Sequence, residues 1–260
     1  GESYTSEAVI LSTGTYMESY IFRGHDKIAE GPDGEKPSHG LSPYLRSMGI
    51  ETYRLKTGTP PRIAKESIDF TKAKVEPGTK GNLAFSYMTD EFIPVEEQEN
   101  CYLIYTTPET HKIIKDHLDE TALFSGNIVG VGPRYCPSIE SKIMTFKDKE
   151  RHQLFLEPES RYTNSIYLQG FSTSMSTDVQ ELMVKSLPGF ENAKFLKYAY
   201  AIEYDAIDPT QLKLNYELKN IKNLFCAGQI NGTSGYEEAA AQGLIAGINA
   251  SRKLDNLEPL

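Results

Sequence analysis

The sequence predicts an α/β fold, with α/β segments at both ends of the chain and an α+β insertion between them. Residues 8–11 and 224–227 are continuous apolar runs of strand length, which is typical of strands buried on both faces of a sheet. Each run leads into a glycine-containing turn, and the second turn is followed by a helical pattern over residues 236–254. The middle of the chain instead contains stretches that alternate apolar and polar residues, as half-exposed antiparallel strands do.

The composition is that of an ordinary globular protein. The 260 residues carry 27 basic and 36 acidic side chains, a net charge of −9, and 39% of them are hydrophobic. This balance excludes a disordered or collagen-like chain. No apolar run approaches the ~18 residues that a membrane-spanning helix needs, so we expect no membrane association. The acidic balance argues against a surface that coats nucleic acid non-specifically, although a local basic patch is compatible with it.

The cysteines and histidines predict neither a disulfide scaffold nor a metal site. Cys101, Cys136 and Cys226 are an odd number without C-x-x-C spacing, and the five histidines show no ligand pattern. The first residues lack the basic and apolar parts of a signal peptide, so we expect a cytoplasmic protein, or a mitochondrial matrix protein in a eukaryote. Because the chain enters its first strand almost at once, we also expect it to be a piece of a longer protein.

The first segment contains one strand, one glycine turn and one short helix. Gly14 lies between two threonines directly after residues 8–11, at the end of a strand where α/β sheets bind ligands. Residues 23–39 are rich in Gly, Asp and Pro and predict a long surface loop. Residues 42–48 predict a helix that ends at Gly49.

The middle of the chain predicts antiparallel strands and capped helices. Residues 83–87 and 101–105 alternate as half-exposed strands do. Residues 107–109 provide a capping hydroxyl, a proline and an acid, which together favour a helix start. Residues 177–180 match a capping box and open a helix that stops before Pro188.

The strongest physical signal is the strand, glycine-rich loop and helix at residues 224–254. Backbone N–H groups at a helix start are unpaired and hold anions or electron-rich atoms. A G-x-G-x-x-G motif occurs nowhere in the sequence, so the spacing alone fits a structural turn equally well. Ala239, Gly243 and Gly247 form a stripe without bulky side chains, which predicts close packing of this helix on a sheet or a cofactor.

Five blocks of the sequence stand together in an order known from one family. They are RLKTGTPPR (54–62), GVGPRYCPSIE (130–140), FLEPE (155–159), YAIEYD (200–205) and GQINGTSGYEEAAAQG (228–243). Together they resemble the glucose-inhibited division protein A family over nearly the whole chain. Ser160 and Ser234 depart mildly from the family pattern, where glycine and threonine are usual. The family's amino-terminal G-x-G-x-x-G segment, with a second cysteine, and its carboxy-terminal helical domain have no counterpart here, so the resemblance implies a central fragment.

The resemblance implies an FAD-dependent enzyme that modifies the wobble uridine of tRNA at its 5-position, adding a carboxymethylaminomethyl or aminomethyl group. It implies NADH and methylene-tetrahydrofolate as co-reactants, a tRNA-modification GTPase as partner and a homodimer in the full enzyme. The implied domains are a Rossmann-like FAD-binding domain in two parts, residues 1–62 and 199–260, and an inserted NADH-binding domain at residues 63–198. The fragment alone is expected to be inactive. Two alternatives stay open, a folate- and FAD-dependent tRNA uridine 5-methyltransferase and a non-catalytic fragment that binds tRNA or a partner.

The resemblance also implies three sets of binding residues. The FAD set is Ser38, Thr13, Gly14, Thr15, Gly228, Gln229, Ile230, Gly235, Tyr236 and Glu238. The NADH set is Gly132, Pro133, Arg134, Tyr135, Ser138 and Lys142. The tRNA set is the basic cluster Arg54, Lys56 and Arg62. For Tyr236 and Glu238, capping of the helix is as good an interpretation as flavin contact. For the basic cluster, a solvated junction between domains is an equal alternative.

Cys136 is the candidate catalytic residue. Its surroundings resemble a helix start with the cysteine as cap and Pro137 in the first turn, and Arg134 lies two residues away. Both features lower the pKa of a thiol and favour the thiolate, whereas a purely structural cap is the alternative. The resemblance favours a catalytic role, either addition to carbon 6 of the uridine or support of one-carbon chemistry at the flavin. Cys226 is predicted to pack in the core, and Cys101 is predicted to be a strand residue without chemical role.

Overall fold

A computed structural model describes residues 1–124, 126–133, 137–233 and 235–260. The described chain forms a mixed α/β structure, as predicted. Its strands are β1 Val9–Leu11, β2 Tyr20–Arg23, β3 Asp26–Ile28, β4 Thr52–Thr59, β5 Arg62–Ala64, β6 Lys74–Glu76, β7 Cys101–Tyr105, β8 Gln153–Pro158, β9 Ser165–Gln169, β10 Phe195–Lys197, β11 Tyr200–Ile207 and β12 Leu224–Cys226. Its α-helices are α1 Leu41–Ser47, α2 Pro108–Asp116, α3 Ile139–Thr145, α4 Thr177–Lys185 and α5 Tyr236–Leu254.

The two predicted apolar strands, β1 and β12, pair with each other in parallel. Val9 lies opposite Leu224 and Leu11 opposite Cys226. The expectation that both strands are buried on both faces is wrong for β1, since Val9 is 45% exposed. The two strands differ in the elements that cover them. Helix α5 packs over β12, where Phe225 is fully buried, whereas β1 has β12 as its single neighbour in the described part of the sheet.

A four-stranded antiparallel sheet lies in the order β3-β2-β11-β4. Strand β11 is buried from Ala201 to its end and pairs with β4 along its whole length. Strand β3 corrects the prediction of an unbroken loop over residues 23–39, because a tight turn at Gly24 folds β3 back on β2. Gly24 has φ +59°, the conformation that two-residue hairpins favour, and the polar composition of β3 concealed it as a strand.

A six-stranded antiparallel sheet, in the order β10-β5-β9-β8-β7-β6, takes all its strands from the stretch between Arg62 and Lys197. Helices α2, α3 and α4 contribute to the largest hydrophobic core together with β8 and β9. Alternate residues of these strands, Leu154, Leu156, Ile166 and Leu168, are fully buried. The domain boundaries at 62/63 and 198/199 stay a prediction.

Most of the predicted element starts are confirmed, with two corrections. Residues 83–87 form no strand, and the side chains of Phe85 and Tyr87 are fully exposed; a strand needs a neighbour, and the described chain places none there. Helix α4 begins at Thr177, but its cap residue is Ser176, so Thr177 does not play the capping-box role. Helix α2 has a capping box between Thr107 and Thr110.

Candidate functional site

The two glycine turns predicted from the sequence meet at the carboxyl edge of the β1-β12 pair. The Ala227 N–H donates to the Leu11 carbonyl oxygen at 2.9 Å, so the two strands end side by side. Gly14 has φ +55° and Gly228 has φ +85°, and both therefore favour glycine. A Cβ on Gly14 would lie 3.7 Å from Gln229 Oε1. The edge where α/β sheets bind ligands is thus bordered by both turns.

Ser38 joins this edge from a distant part of the sequence. Its N–H donates to the Tyr16 carbonyl oxygen at 2.8 Å, and its own carbonyl oxygen accepts from the Glu18 N–H at 3.1 Å. Ser38 therefore runs alongside the chain that directly follows the Thr13-Gly14-Thr15 turn. In this turn Thr15 is buried.

Gln242 organises the glycine-rich loop and was missed as a site residue by sequence reasoning. Its Oε1 accepts from the Gly228 N–H at 2.9 Å and from Asn231 Nδ2 at 2.9 Å. Asn231 Nδ2 also donates to the Cys226 carbonyl oxygen at 2.8 Å. The only sequence signal for Gln242 was its place in the 228–243 block. Since the Gly228 N–H is already bonded, a ligand at this edge must bind through other groups.

Three buried side-chain oxygens in these loops have no hydrogen-bond partner among the described atoms. They are Thr13 Oγ1, Asn231 Oδ1 and Thr233 Oγ1. A buried polar atom without a partner costs about 1–3 kcal/mol, so such atoms are rare in folded proteins. Their grouping in the loops after β1 and β12 gives this edge unused capacity to bind a polar ligand.

The start of α5 combines an exposed ring with a crowded cap. Gly235 is the cap residue, and the flexible Glu238 side chain lies against it, so a Cβ there would require the Glu238 carboxylate to move. Tyr236 is largely exposed beside it. Ile230 is fully buried in a core cluster with Met17, so only its backbone can contact a ligand.

The small-residue stripe of α5 does not pack on a sheet within the described chain. A Cβ on Gly243 or Gly247 would meet no atom within 4 Å, and only Ala239 lies against the loop, at Gly228. The helix packs instead through a neighbouring face with Ala246 and Ala250. The stripe therefore does not pack on a sheet in the part of the chain described, and its packing on a cofactor stays a prediction.

Tyrosines from three parts of the chain come near the start of α5. Burial raises the pKa of Tyr16, Tyr167 and Tyr200, and in each case the phenol of Tyr236 adds a smaller upward contribution. Sequence reasoning had singled out only Tyr236. The other three carried no signal because their nearness to the start of α5 depends on the tertiary structure.

The predicted NADH segment is only partly described. Arg134, Tyr135 and Cys136 lie outside the described residues. Ser138 is the cap of α3, with its Oγ accepting from the Ser141 N–H at 3.4 Å. The prediction that Cys136 caps this helix with Pro137 in the first turn is therefore wrong, because a serine hydroxyl, a stronger acceptor than a thiol, caps it two residues later.

The described members of the NADH set differ in exposure and in hydrogen bonding. Gly132 is exposed and Pro133 half-exposed. Lys142 Nζ donates to the Gly170 carbonyl oxygen at 3.0 Å. A role of Ser138 or Lys142 in dinucleotide binding stays a prediction, and both side chains already have structural partners.

Two of the three predicted tRNA-binding cations, Arg54 and Arg62, are paired with carboxylates of the fold. Arg54 Nη1 lies 2.9 Å from Asp205 Oδ1, and Arg62 Nε lies 3.0 Å from Glu159 Oε1. The guanidinium of Arg62 also stacks over a tyrosine ring at 4.6 Å. Full burial raises the pKa of the Glu140 carboxyl, and the nearby Lys56 ammonium group offsets part of this rise. Phosphate contact by these arginines would require exchange of their acidic partners.

The two described cysteines differ in environment. Cys226 is fully buried, and burial raises the pKa of its thiol to about 12, which confirms the prediction of a core residue. Cys101 is half-buried in β7 as predicted, and its pKa is also raised by burial. No three His, Cys, Asp or Glu side chains of the described residues lie close enough to hold a metal ion.

Comparison with known proteins identifies the family. Residues 1–258 match the family model described as glucose inhibited division protein A. The chain belongs to this family. The resemblance drawn from the five sequence blocks is thereby confirmed.

Relatives in the glucose inhibited division protein A family are longer than this chain. The tRNA uridine 5-carboxymethylaminomethyl modification enzyme MnmG of Mycoplasma capricolum is 56% identical over 255 residues, which are 98% of this chain and 40% of that protein. The enzyme of the same name from Acholeplasma laidlawii is 55% identical over 260 residues, 100% of this chain and 42% of that protein. The chain thus spans about two fifths of the length of these relatives.

The family's fold is shared as well. The structure of Aquifex aeolicus GidA in the form I crystal superposes with a TM-score of 0.89 at 49% identity, covering 98% of this chain and 43% of that one. In the described residues no helix is both long and apolar enough to cross a membrane.

Proposed function

We propose that the protein containing this chain modifies tRNA at the 5-position of the wobble uridine, adding a carboxymethylaminomethyl or aminomethyl group. Support comes from the relatives that carry the corresponding enzyme name over 98% or more of this chain. The candidate site for this activity is the carboxyl edge of β1 and β12. Two glycine turns border this edge, and their loops contain the unpartnered oxygens of Thr13, Asn231 and Thr233. These residues fit a large polar cofactor.

We infer that this cofactor is FAD. The Thr13-Gly14-Thr15 turn and Ser38 would hold it on the β1 side, and Gln229 with the Ile230 backbone on the β12 side. Gly228 would allow close approach of the ligand through its missing Cβ, while its N–H stays with Gln242. Gly235, Tyr236 and Glu238 would border it at the start of α5. When bound, a flavin supplies hydride and electron transfer, while the protein orients the reactants and excludes water.

NADH, methylene-tetrahydrofolate and the thiol of Cys136 complete the proposed chemistry. The exposed backbone at Gly132 suits a dinucleotide near the 130–140 block, and Arg134, Tyr135, Ser138 and Lys142 belong to the same proposed subsite. For tRNA, Arg54, Lys56 and Arg62 remain proposed contacts. Arg54 and Arg62 would act through local exchange of ion pairs, because both guanidinium groups are already paired with carboxylates.

The proposal extends to the assembly. We propose a homodimer and a tRNA-modification GTPase as partner for the longer protein. We also propose that the FAD-binding domain comprises residues 1–62 and 199–260 and the NADH-binding domain residues 63–198. Since the chain spans about 40% of its relatives, we expect it to bind FAD weakly and not to modify tRNA by itself.

Replacement of Cys136 by serine in the longer protein tests the activity. We expect the variant to retain flavin, measured by its absorbance spectrum, and to lose the modified wobble uridine, measured by mass spectrometry of tRNA nucleosides. Cys101→Ser is the matched control and should behave as the unaltered protein. Unchanged modification in the Cys136 variant would refute the catalytic role, and a product with the mass of 5-methyluridine would assign the protein to the methyltransferase alternative.

Binding of FAD to the 260-residue chain tests the cofactor site separately. We expect quenching of flavin fluorescence that weakens when Thr13 is replaced by valine, which keeps the shape and removes the buried oxygen. Thr71→Val, at an exposed turn whose hydroxyl donates to Asp69, is the control. Equal binding by both variants would contradict the assignment of Thr13.

A further inference from the structure

Glu203 is a buried carboxylate in the centre of the four-stranded sheet. It belongs to β11, lies opposite Lys56 of β4 and Tyr20 of β2, and is only 2% exposed. A buried carboxylate requires strong hydrogen-bond donors to offset its lost hydration. Its hydrogen-bond donors therefore show which chain segments the Glu203 side chain holds in place.

Two of these donors are consecutive backbone N–H groups from a distant segment. Glu203 Oε1 accepts from the Val129 N–H at 2.6 Å and from the Gly130 N–H. The next residue continues the attachment, since the Lys56 N–H donates to the Val131 carbonyl oxygen at 2.8 Å. The segment thus joins the edge of β4 through its main chain.

Side-chain packing does not explain this attachment. Val129 and Val131 are 76% and 64% exposed, so their side chains contribute little apolar contact. Gly130 permits the close approach, because a Cβ there would lie 2.9 Å from the Leu55 carbonyl carbon and 3.2 Å from Glu203 Oε1. The carboxylate and the glycine together fix the segment.

Arg54 orients the carboxylate. Its Nη2 lies 3.5 Å from Glu203 Oε2, while its Nη1 binds Asp205 Oδ1 at 2.9 Å and the Glu18 carbonyl oxygen at 2.8 Å. These contacts give Arg54 a structural role between three chain segments and leave Glu203 Oε1 to the two N–H groups.

The far end of the same segment is fixed independently. The Ile139 N–H donates to the Ser172 carbonyl oxygen at 2.8 Å, and Ile139 is fully buried in the large core. Glu140 Oε1 accepts from the Ser174 N–H at 3.3 Å. The intervening sequence, which contains Cys136, therefore has one end held by Glu203 and the other by α3.

We propose that Glu203 is a positioning residue that fixes the start of the Cys136-bearing segment through the Val129 and Gly130 N–H groups. The proposal rests on the proposed function of Cys136 for its consequence in catalysis. The anchor itself is a property of this chain and requires neither cofactor nor tRNA. It acts through a carboxylate oxygen as acceptor, so glutamine preserves it and leucine removes it.

Alkylation of Cys136 measured against Cys101 in the same chain tests the anchor. With iodoacetamide and peptide mass spectrometry, we expect Glu203→Leu to change the Cys136 rate by roughly threefold or more relative to Cys101, because loss of the anchor frees this segment and leaves β7 in place. Glu203→Gln and the control Val129→Ala, which retains its N–H, should match the unaltered chain. Because general destabilisation raises both cysteine rates together, the ratio separates anchoring from fold stability.

Several outcomes would overturn the proposal. These are an unchanged Cys136 rate in Glu203→Leu, a parallel change at Cys101, and a Glu203→Gln variant that behaves like Glu203→Leu. If Glu203→Leu does not fold, Gly130→Ala disrupts the same contact from the other side and should change the same ratio by a similar factor. In the longer protein, Glu203→Leu should retain flavin and lower tRNA modification by about tenfold, as misplacement of a reacting group does. If the unaltered longer protein modifies no tRNA, the proposed function is refuted. The alkylation ratio still tests whether Glu203 anchors the segment.

Discussion

Gln242 on helix α5 accepts a hydrogen bond from the backbone N–H of Gly228 at 2.9 Å, across the glycine-rich loop. The same oxygen accepts from Asn231 Nδ2 at 2.9 Å. One amide oxygen therefore ties the end of β12, the loop and the second turn of α5 together. The shape of the candidate cofactor edge depends on this residue.

Replacement of Gln242 by leucine should destabilise the chain. The change leaves the Gly228 N–H and one Asn231 proton without their acceptor, which costs about 1–3 kcal/mol of unfolding free energy. Gln242→Glu retains an acceptor oxygen and should lose much less. Urea unfolding followed by circular dichroism measures both, and equal losses in the two variants would contradict the role of the acceptor.

Stability should fall in acid because of Glu217. This buried carboxylate lies 2.9 Å from Lys213 Nζ and also contacts Lys253 Nζ. It accepts a hydrogen bond from the Asn223 N–H at 2.8 Å. Burial alone would raise its pKa, but the hydrogen bonds from Lys253, Lys213 and Asn223 outweigh burial and lower the pKa to about 2. The folded-state pKa is below the unfolded value of 4.5, so the contribution is present above pH 4.5 and is lost as the pH falls toward 2.

Glu217→Gln should therefore remove on the order of 2 kcal/mol at pH 7 and flatten the decline of stability between pH 4.5 and 2. Unfolding free energy measured across this range checks the prediction. Glu191→Gln is the control, since its ion pair with Lys72 is half-exposed and contributes little. An unaltered acid profile in the Glu217 variant would refute the assignment.

Tyr204→Phe should leave stability unchanged or raise it. The ring is fully buried in the core with Leu55 and Ala206, its hydroxyl has no partner among the described atoms, and burial raises its pKa to about 12. Removing the unpaired hydroxyl relieves a desolvation cost of about 1 kcal/mol without loss of packing. Tyr204→Leu, which also removes volume, should destabilise. A clear loss of stability in the phenylalanine variant, measured by thermal unfolding, would show that the hydroxyl is bonded.

Alkylation should distinguish the three cysteines of the native chain at pH 7. The raised pKa and full burial of Cys226 predict modification only through global unfolding, whereas half-buried Cys101 should react slowly. Arg134, two residues away in the sequence, favours the Cys136 thiolate, so we expect Cys136 to react fastest. Peptide mass spectrometry after timed exposure to iodoacetamide measures all three rates, with urea-unfolded chain as reference. Rapid labelling of native Cys226 would contradict its place in the core.

The local sequence determined the elements whose cause is local. Helix α5 begins at Tyr236 and ends at Leu254 as predicted, and α2 begins after the Thr107 cap, because caps and glycine turns act within a few residues. Both apolar strands were also evident in the sequence because each is a continuous apolar run. The turns after them were evident because each contains glycine, which adopts positive φ readily. The family followed from five blocks read in order.

Only the tertiary structure decided which residues meet. The sequence placed Arg54 and Arg62 in one basic cluster, but Asp205 and Glu159 come from distant parts of the chain to pair with them. Residues 83–87 alternate like a strand yet have no neighbour to pair with among the described residues. The bonds from Val129 and Gly130 to Glu203 span more than 70 positions, and no local pattern encodes them. Backbone propensity and capping are short-range, whereas charge pairing, strand pairing and the anchoring of a segment are settled by which surfaces the folded chain brings into contact.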